Sequence, residues 1–503
     1  MSLAFGIFLG RESGFGAFEL NSVTLSEPQN MPDLRKSLRE ARRKPNPPCS
    51  PYLFCEGGIL NLFLNFTAMK YEKINAQLFI ENRKKFTSQM KPGSIALFNS
   101  SYEYVWNGDA SHNFKQNSDI FWLSGIDQED SILVLFPDCP VPEFREALFL
   151  KQTSAHIAVW EGHKYTKEEA TETSGVASIQ WNTNFKDTIR PIINMAQNIY
   201  LTLNENDRFA YKAPYKDLDF ARALKEEYPL HQYERAAPIL QRLRSIKSDF
   251  ELELTRKAIS ISKKGFERIM GFVKPGVMEY QVEAELIHEF LSNRANGHSF
   301  HPIVASGESA CVLHYVENNR PCKDGDLLLV DCGVDYANYA SDMTRVIPVN
   351  GKFTQRQKDV YNAVLRVMRA AKQLLVPGTY LMEYHKVVGQ IMEKELVDLG
   401  LLTMDDIRNQ DPNWPAYKKY FMHGTSHFMG IDVHDVGMRY EPMKAGMVFT
   451  CEPGIYIQEE SIGIRIENDI LLSDNGPIDM MDQIKMPIEV EEIEEIMNSS
   501  VNV

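Results

Sequence analysis

The second half of the chain repeats itself, and the repeat limits what it can fold into. Ser248-Asp249-Phe250-Glu251 has the spacing of a capping box, which opens a helix. Leu254, Ala258, Ile261 and Ile269 then recur along one face of that helix. It ends near Pro275-Gly276, and Met278-Glu279-Tyr280 starts a second helix. Thr354-Gln355-Arg356-Gln357 is another capping box, about 106 residues further on. Its helix runs through Leu375 to Pro377-Gly378, and Met382-Glu383-Tyr384 begins the next. A helix–helix–strand unit used twice and closed into one pseudo-symmetric domain accounts for both. Chance likeness of short Pro-Gly and Met-Glu-Tyr strings is the competing account.

Each unit leads into strand-like segments that carry carboxylates. Asp324-Gly325-Asp326 is a turn, and Leu327 to Val330 is a buried-strand run that ends in Asp331. Asp342 opens a second such run, eleven residues on, a spacing compatible with a hairpin that brings both to one place. An aspartate at the end of an apolar run is costly to bury alone, and a metal or an arginine partner offsets that cost. His423, His427 and His434 follow among glycines, three of only 12 histidines in the chain. Glu452 sits at a strand end before Pro453-Gly454, and alternation puts Arg465 and Glu467 on one face. Asp331, Asp342, His427, Glu452 and Glu467 together suit two hard-to-borderline divalent ions. Two such ions sharing a water make a hydrolytic site.

The remaining sequence sets bounds. At 503 residues, two or more domains are expected. A net charge of -14 argues against nucleic-acid binding. Seven cysteines without a C-x-x-C pair suit a reducing cytoplasm better than a disulfide framework. Cys332 and Cys451, each beside a ligand candidate, read as buried small hydrophobes. No apolar run reaches the roughly 20 residues of a membrane span. Residues 1–68 lack periodicity and crowd Pro45, Pro47, Pro48 and Pro51 together; they read as an upstream or non-globular extension. Met69-Lys70-Tyr71 opens a helix-like stretch through Phe86. From 69 to 240, strand-like Ser94–Asn99, Ser131–Phe136 and Ala147–Leu150 alternate with helical segments such as Asp217–Glu227, which indicates a smaller α/β domain. Residues 241–495 form the second, larger domain.

With its ligand motifs and duplicated unit, the region from 69 to 495 resembles the aminopeptidase P branch of the pita-bread metallopeptidases. That likeness implies an α+β fold, with a C-terminal pita-bread (creatinase/aminopeptidase-like) catalytic domain behind the smaller N-terminal one. It implies Asp331 as a bidentate ligand of one metal, Asp342 and Glu467 as bridging carboxylates, and His427 and Glu452 on the other metal. His314 resembles a histidine near the scissile bond, and His434 one that holds substrate and the tetrahedral intermediate. Arg465 resembles the active-site arginine, with Asp109 its N-domain partner and His423 a pocket residue. Glu452 would also take and return the proton. The implied reaction is hydrolysis of Xaa-Pro-peptides after the first residue, by a hydroxide bridging two Mn²⁺ ions; Co²⁺, Zn²⁺ or Fe²⁺ also suit the donors. A homo-oligomer, dimer or tetramer, is implied too. Prolidase action on Xaa-Pro dipeptides is the alternative, and a metal-free binding protein on the same fold a third reading.

Overall fold

Short apolar runs bounded by turn residues build the smaller layer. The computed structural model describes residues 70–206 and 213–500. Six strands stand in the order Ser178–Trp181, Glu146–Leu150, Ile132–Leu135, Ser94–Asn99, Asn198–Leu201 and Gln232–Arg235. Ser94–Asn99 pairs antiparallel with Ile132–Leu135 and parallel with Asn198–Leu201. It is buried along its whole length because helices cover both sides. Ala96 and Phe98 pack with Phe86 and Phe121, whereas Ile95 and Leu97 pack with Ile189 and Leu224. This is the alternation a two-sided strand requires.

The helix expected from Met69 starts later among the described residues: it spans Gln77–Thr87. Tyr71 and Ile74 are both buried, and a bonded arm holds the chain before the helix. Arg294 donates to the Lys70 carbonyl at 2.8 Å, and the Glu72 amide donates to the Tyr336 hydroxyl at 3.2 Å. Asn75 accepts from the Gln77 amide at 3.0 Å and sets the true start. The reading of 1–68 lies outside the described residues.

Both capping boxes form. Ser248 and Glu251 exchange bonds at the start of Asp249–Phe272, and Thr354 and Gln357 do so at the start of Gln355–Leu374. Partner helices Glu279–Ser292 and Leu381–Asp398 follow. The two Pro-Gly turns are equivalent in detail. Gly276 at φ +91° donates to the Cys322 carbonyl, and Gly378 at φ +93° donates to the Met443 carbonyl. Each acceptor residue returns a bond, Cys322 to Val277 and Met443 to Thr379. Only glycine adopts such a φ without strain. Each helix pair then backs a three-stranded antiparallel sheet. One is Ile303–Ser306, Leu327–Cys332 and Met343–Pro348; the other is Val448–Cys451, Asn468–Ser473 and Gly476–Asp479. The hairpin Gly454–Ile457 with Ile462–Arg465 completes the second half. The duplicated unit is therefore real in three dimensions. The described residues form one compact unit. Among the described residues, no helix is long and apolar enough to cross a membrane.

Candidate metal centre

Strand ends deliver the ligand candidates. Asp331 faces Thr344 across the antiparallel pair, which leaves Asp342 at the mouth of the same ladder. His427 is held from both sides: its amide donates to the Thr450 hydroxyl, and its carbonyl accepts from the Thr450 amide. Glu452 and Glu467 leave the ends of Val448–Cys451 and Ile462–Arg465. All five line one cavity of about 540 Å³, together with His314, His423, His434 and Arg465. Donor atoms of Asp342, His427 and Glu467 lie within 4.8 Å of one another. His427 Nε2 is 3.4 Å from Asp342 Oδ2 and 3.6 Å from Glu452 Oε1.

Asp109 is the one candidate that does not line this cavity. It sits in the exposed turn between Val105–Asn107 and Ala110–Ser111, a hairpin whose strands are both exposed.

The electrostatics show what the centre suits. Burial, and then the neighbouring Asp331 charge, hold the Asp342 carboxyl well above the usual carboxylate range. Burial raises Glu467 likewise, with Asp342 and Glu452 adding to it. Glu452 is pushed up to about 7 by burial, against the opposing pull of His427. Asp469, whose carboxylate accepts from the Asp342 amide at 3.3 Å, is raised too, by burial and then by Asp342. Carboxylates this crowded need protons or cations. Two buried oxygens, Asp331 Oδ1 and Asp342 Oδ1, also have no hydrogen-bond partner among the described residues. An oxygen-rich donor set with one imidazole and orphaned lone pairs fits divalent cations.

Arg465 organises the other wall. It donates to Asp331 Oδ2 at 2.6 Å, to the Tyr456 hydroxyl at 2.7 Å and to Thr344 Oγ1 at 3.2 Å. Thr344 in turn donates to Glu467 Oε2 at 2.6 Å. Both compensations foreseen for Asp331, an arginine partner and a metal, are thus available to its two oxygens. Burial lowers the His423 pKa to about 3, with Arg465 adding to it, so His423 is neutral. Its Nε2 pairs with the Tyr456 hydroxyl at 2.8 Å. Tyr456 and Thr344 were not singled out in the sequence. Tyr456 lies four residues after Glu452 on a strand, and nothing local marks it as a pocket residue. His301, also in the cavity wall, sits in a loop without any motif.

Residues 253–474 match the profile of Metallopeptidase family M24, and residues 79–200 match that of the Aminopeptidase P N-terminal domain. The Xaa-Pro aminopeptidase of Escherichia coli (strain K12) is 34% identical over 446 residues, 83% of this chain and 98% of its own length. The Xaa-Pro aminopeptidase 3 of Homo sapiens is 28% identical over 472 residues, 91% of this chain and 90% of its own. Among solved structures, Pseudomonas aeruginosa aminopeptidase PepP superposes with a TM-score of 0.77 at 30% identity, covering 86% of this chain and all of that one. Zinc-substituted E. coli aminopeptidase P in complex with product gives a TM-score of 0.75 at 32% identity, covering 85% and 99%.

Proposed function

The chain belongs to metallopeptidase family M24, in the branch with an aminopeptidase P N-terminal domain, and from its site we propose how it releases the first residue of Xaa-Pro-peptides. The observation that carries the reading is the convergence of Asp331, Asp342, His427, Glu452 and Glu467 on one cavity, with two of their oxygens orphaned. These five residues would hold two divalent ions, Mn²⁺ by family habit. When bound, such ions polarise the scissile carbonyl and lower the pKa of a shared water.

The chain's own groups do the rest. Glu452 takes and returns the proton; its carboxylate lies 3.6 Å from His427 and 3.7 Å from His423. His434 and His314 border the same cavity and are placed to donate to a developing oxyanion. Arg465 fixes Asp331 and Tyr456 at once, so this wall of the cavity keeps its shape. His423, held neutral, orders the Tyr456 hydroxyl.

A reducing compartment such as the cytoplasm is supported by the cysteines: Cys139, Cys311, Cys322, Cys332 and Cys451 are all free. Assembly into a homo-oligomer through the smaller domain is supported by Val159 and Trp160, 80% and 79% exposed on the helix Ala155–Glu161. Sedimentation of wild type against Trp160→Ala tests it.

The deciding experiment is hydrolysis of Xaa-Pro-Yaa and Xaa-Pro by metal-stripped protein, with and without Mn²⁺. Release of Xaa from the tripeptide on adding metal is expected. Cleavage of the dipeptide alone would make this a prolidase. No cleavage of either, with metal bound, would sink the enzymatic reading.

A further inference from the structure

Arg244 binds three carboxylates drawn from both layers of the molecule. It lies on the helix Ala237–Ser245 and is 4% exposed. Its Nη1 donates to Asp119 Oδ1 at 2.7 Å. Its Nη2 donates to Asp432 Oδ2 at 2.7 Å and to Asp435 Oδ1 at 2.6 Å. Lys247 adds a bond to Asp435 Oδ2 at 2.9 Å. Asp119 comes from the smaller domain, on Ser118–Ser124, where Thr202 also donates to it at 2.8 Å. Its neighbour Ser118 donates to Asp432 Oδ1 at 2.7 Å.

The two loop carboxylates bracket His434. Residues 431–439 contain no helix or strand, so no ladder fixes that imidazole. What fixes the loop is a set of anchors around it. Asp432 and Asp435 share one guanidinium nitrogen. The Gly430 amide donates to the Asp432 carbonyl, and the Asp435 amide to the Phe428 carbonyl. A side chain at Gly430 would collide with Asp435 Oδ2 and Lys247, so the glycine admits this closure. His434 itself is exposed, stands 4.2 Å ring to ring from His427, and borders both the ligand cavity and the cleft between the layers.

A buried ion cluster is weak evidence for stability, because removing charges from water costs about as much as pairing them returns. Its worth lies in geometry. We propose that Arg244 and Asp119 are positioning residues for His434: the smaller domain sets where this imidazole stands over the reacting carbonyl. The inference rests on the role of His434 in the reading above. It adds that the smaller domain takes part in the chemistry through an ion relay, not only through the wall of a cleft.

A double-mutant cycle decides it. Asp119→Asn removes one charge of the relay and no volume. Its kcat on Xaa-Pro-Yaa should fall about 10-fold, with KM changing less than about 2-fold, as for other residues that orient an active-site imidazole. In a His434→Ala background the same substitution should cost nothing further, because there is no imidazole left to position. An equal loss in both backgrounds would mean a general structural role and would overturn the proposal. So would an unchanged kcat in Asp119→Asn. If that variant fails to fold, Asp432→Asn, with a side chain 38% exposed, runs the same cycle. Amide exchange across 430–436, read without substrate, should speed up in either variant. Because that arm needs no turnover, it still decides the anchoring if the proposed activity itself fails; unchanged exchange refutes the relay.

Discussion

Asp217 stores a pH-dependent cost outside the cavity of the ligand candidates. It lies on the helix Lys216–Glu227, is 5% exposed, and borders the cleft between the layers. Its two oxygens accept from Asn99 Nδ2 at 3.3 Å and Asn117 Nδ2 at 2.9 Å. Burial, opposed by the Asn99 bond and reinforced by the Asp119 charge, pushes its pKa from 3.8 up to about 7. The folded chain therefore keeps a proton there that the unfolded chain gives up between about pH 4 and 7. Stability falls as pH rises through that window, and the loss is complete above it. Three-odd pH units at about 1.4 kcal/mol each make roughly 4 kcal/mol. Asp217→Asn removes the charge and keeps the shape. Asn117 can still donate to the new Oδ1. Asn99 Oδ1, which has no partner among the described residues, accepts from the new amide once Asn99 flips. The variant should match wild type at pH 4 and exceed it by about 4 kcal/mol at pH 8, which is roughly 5 °C for a compact unit of this size. Calorimetric melting at both values, in chelator, measures it. Parallel pH profiles for the two proteins would refute the argument, because the other raised carboxyls act on both alike and only the difference reports Asp217.

His427→Ala should abolish turnover and lower metal content while the melting temperature of the stripped protein holds; full metal content with substantial turnover would remove His427 from the ligands. Binding of Mn²⁺ should release protons, because Asp342, Glu452 and Glu467 are all raised in the metal-free protein. Affinity should accordingly climb as pH rises toward about 7, where Glu452 titrates; titration calorimetry in two buffers of different ionisation enthalpy checks this, and equal heats at pH 6 would contradict it. Gly463→Ala should cost about 1–3 kcal/mol, since its Cβ meets the Ala310 carbonyl backbone, which cannot move aside as a side chain can; an unchanged melting temperature would count against it.

The ligand candidates were legible in the sequence because they carry local marks. Asp331 ends a run of apolar residues, Glu452 precedes Pro-Gly, and both capping boxes announce their helices within four residues. Features assembled from distant segments carried no such mark. Arg244 reads as one of several basic residues on a helix, and only folding shows that residues 119, 432 and 435 meet it. Tyr456 looked like any strand tyrosine until Arg465 and His423 closed on its hydroxyl. The late start at Gln77 was hidden for a related reason. Tyr71 and Ile74 have a spacing that suits a helix, but partners from the larger domain, Tyr336 and Arg294, draw the arm out of it.

A site that crowds four carboxylates around one imidazole works against its own fold, so its shape has to be held from elsewhere. Arg345 does this. It is fully buried and donates to the carbonyls of Thr344, Glu467 and Pro487 at 2.8 Å each, and to Asn468 Oδ1 at 2.7 Å. None of these acceptors is a ligand carboxylate. The backbone of Glu467 is thereby fixed by its carbonyl while its side chain is left to the cavity. Thr344 is tied the same way, and its hydroxyl links Arg465 to Glu467. Asn468 is held in turn by both oxygens of Asp479. The crowding among Asp342, Glu452 and Glu467 is therefore borne by a backbone pinned beside the strands, with the Glu452 amide on the Thr425 carbonyl and the Glu467 amide on the Thr344 carbonyl. A cation would then replace the protons that these crowded carboxyls otherwise hold, with little reordering of the chain.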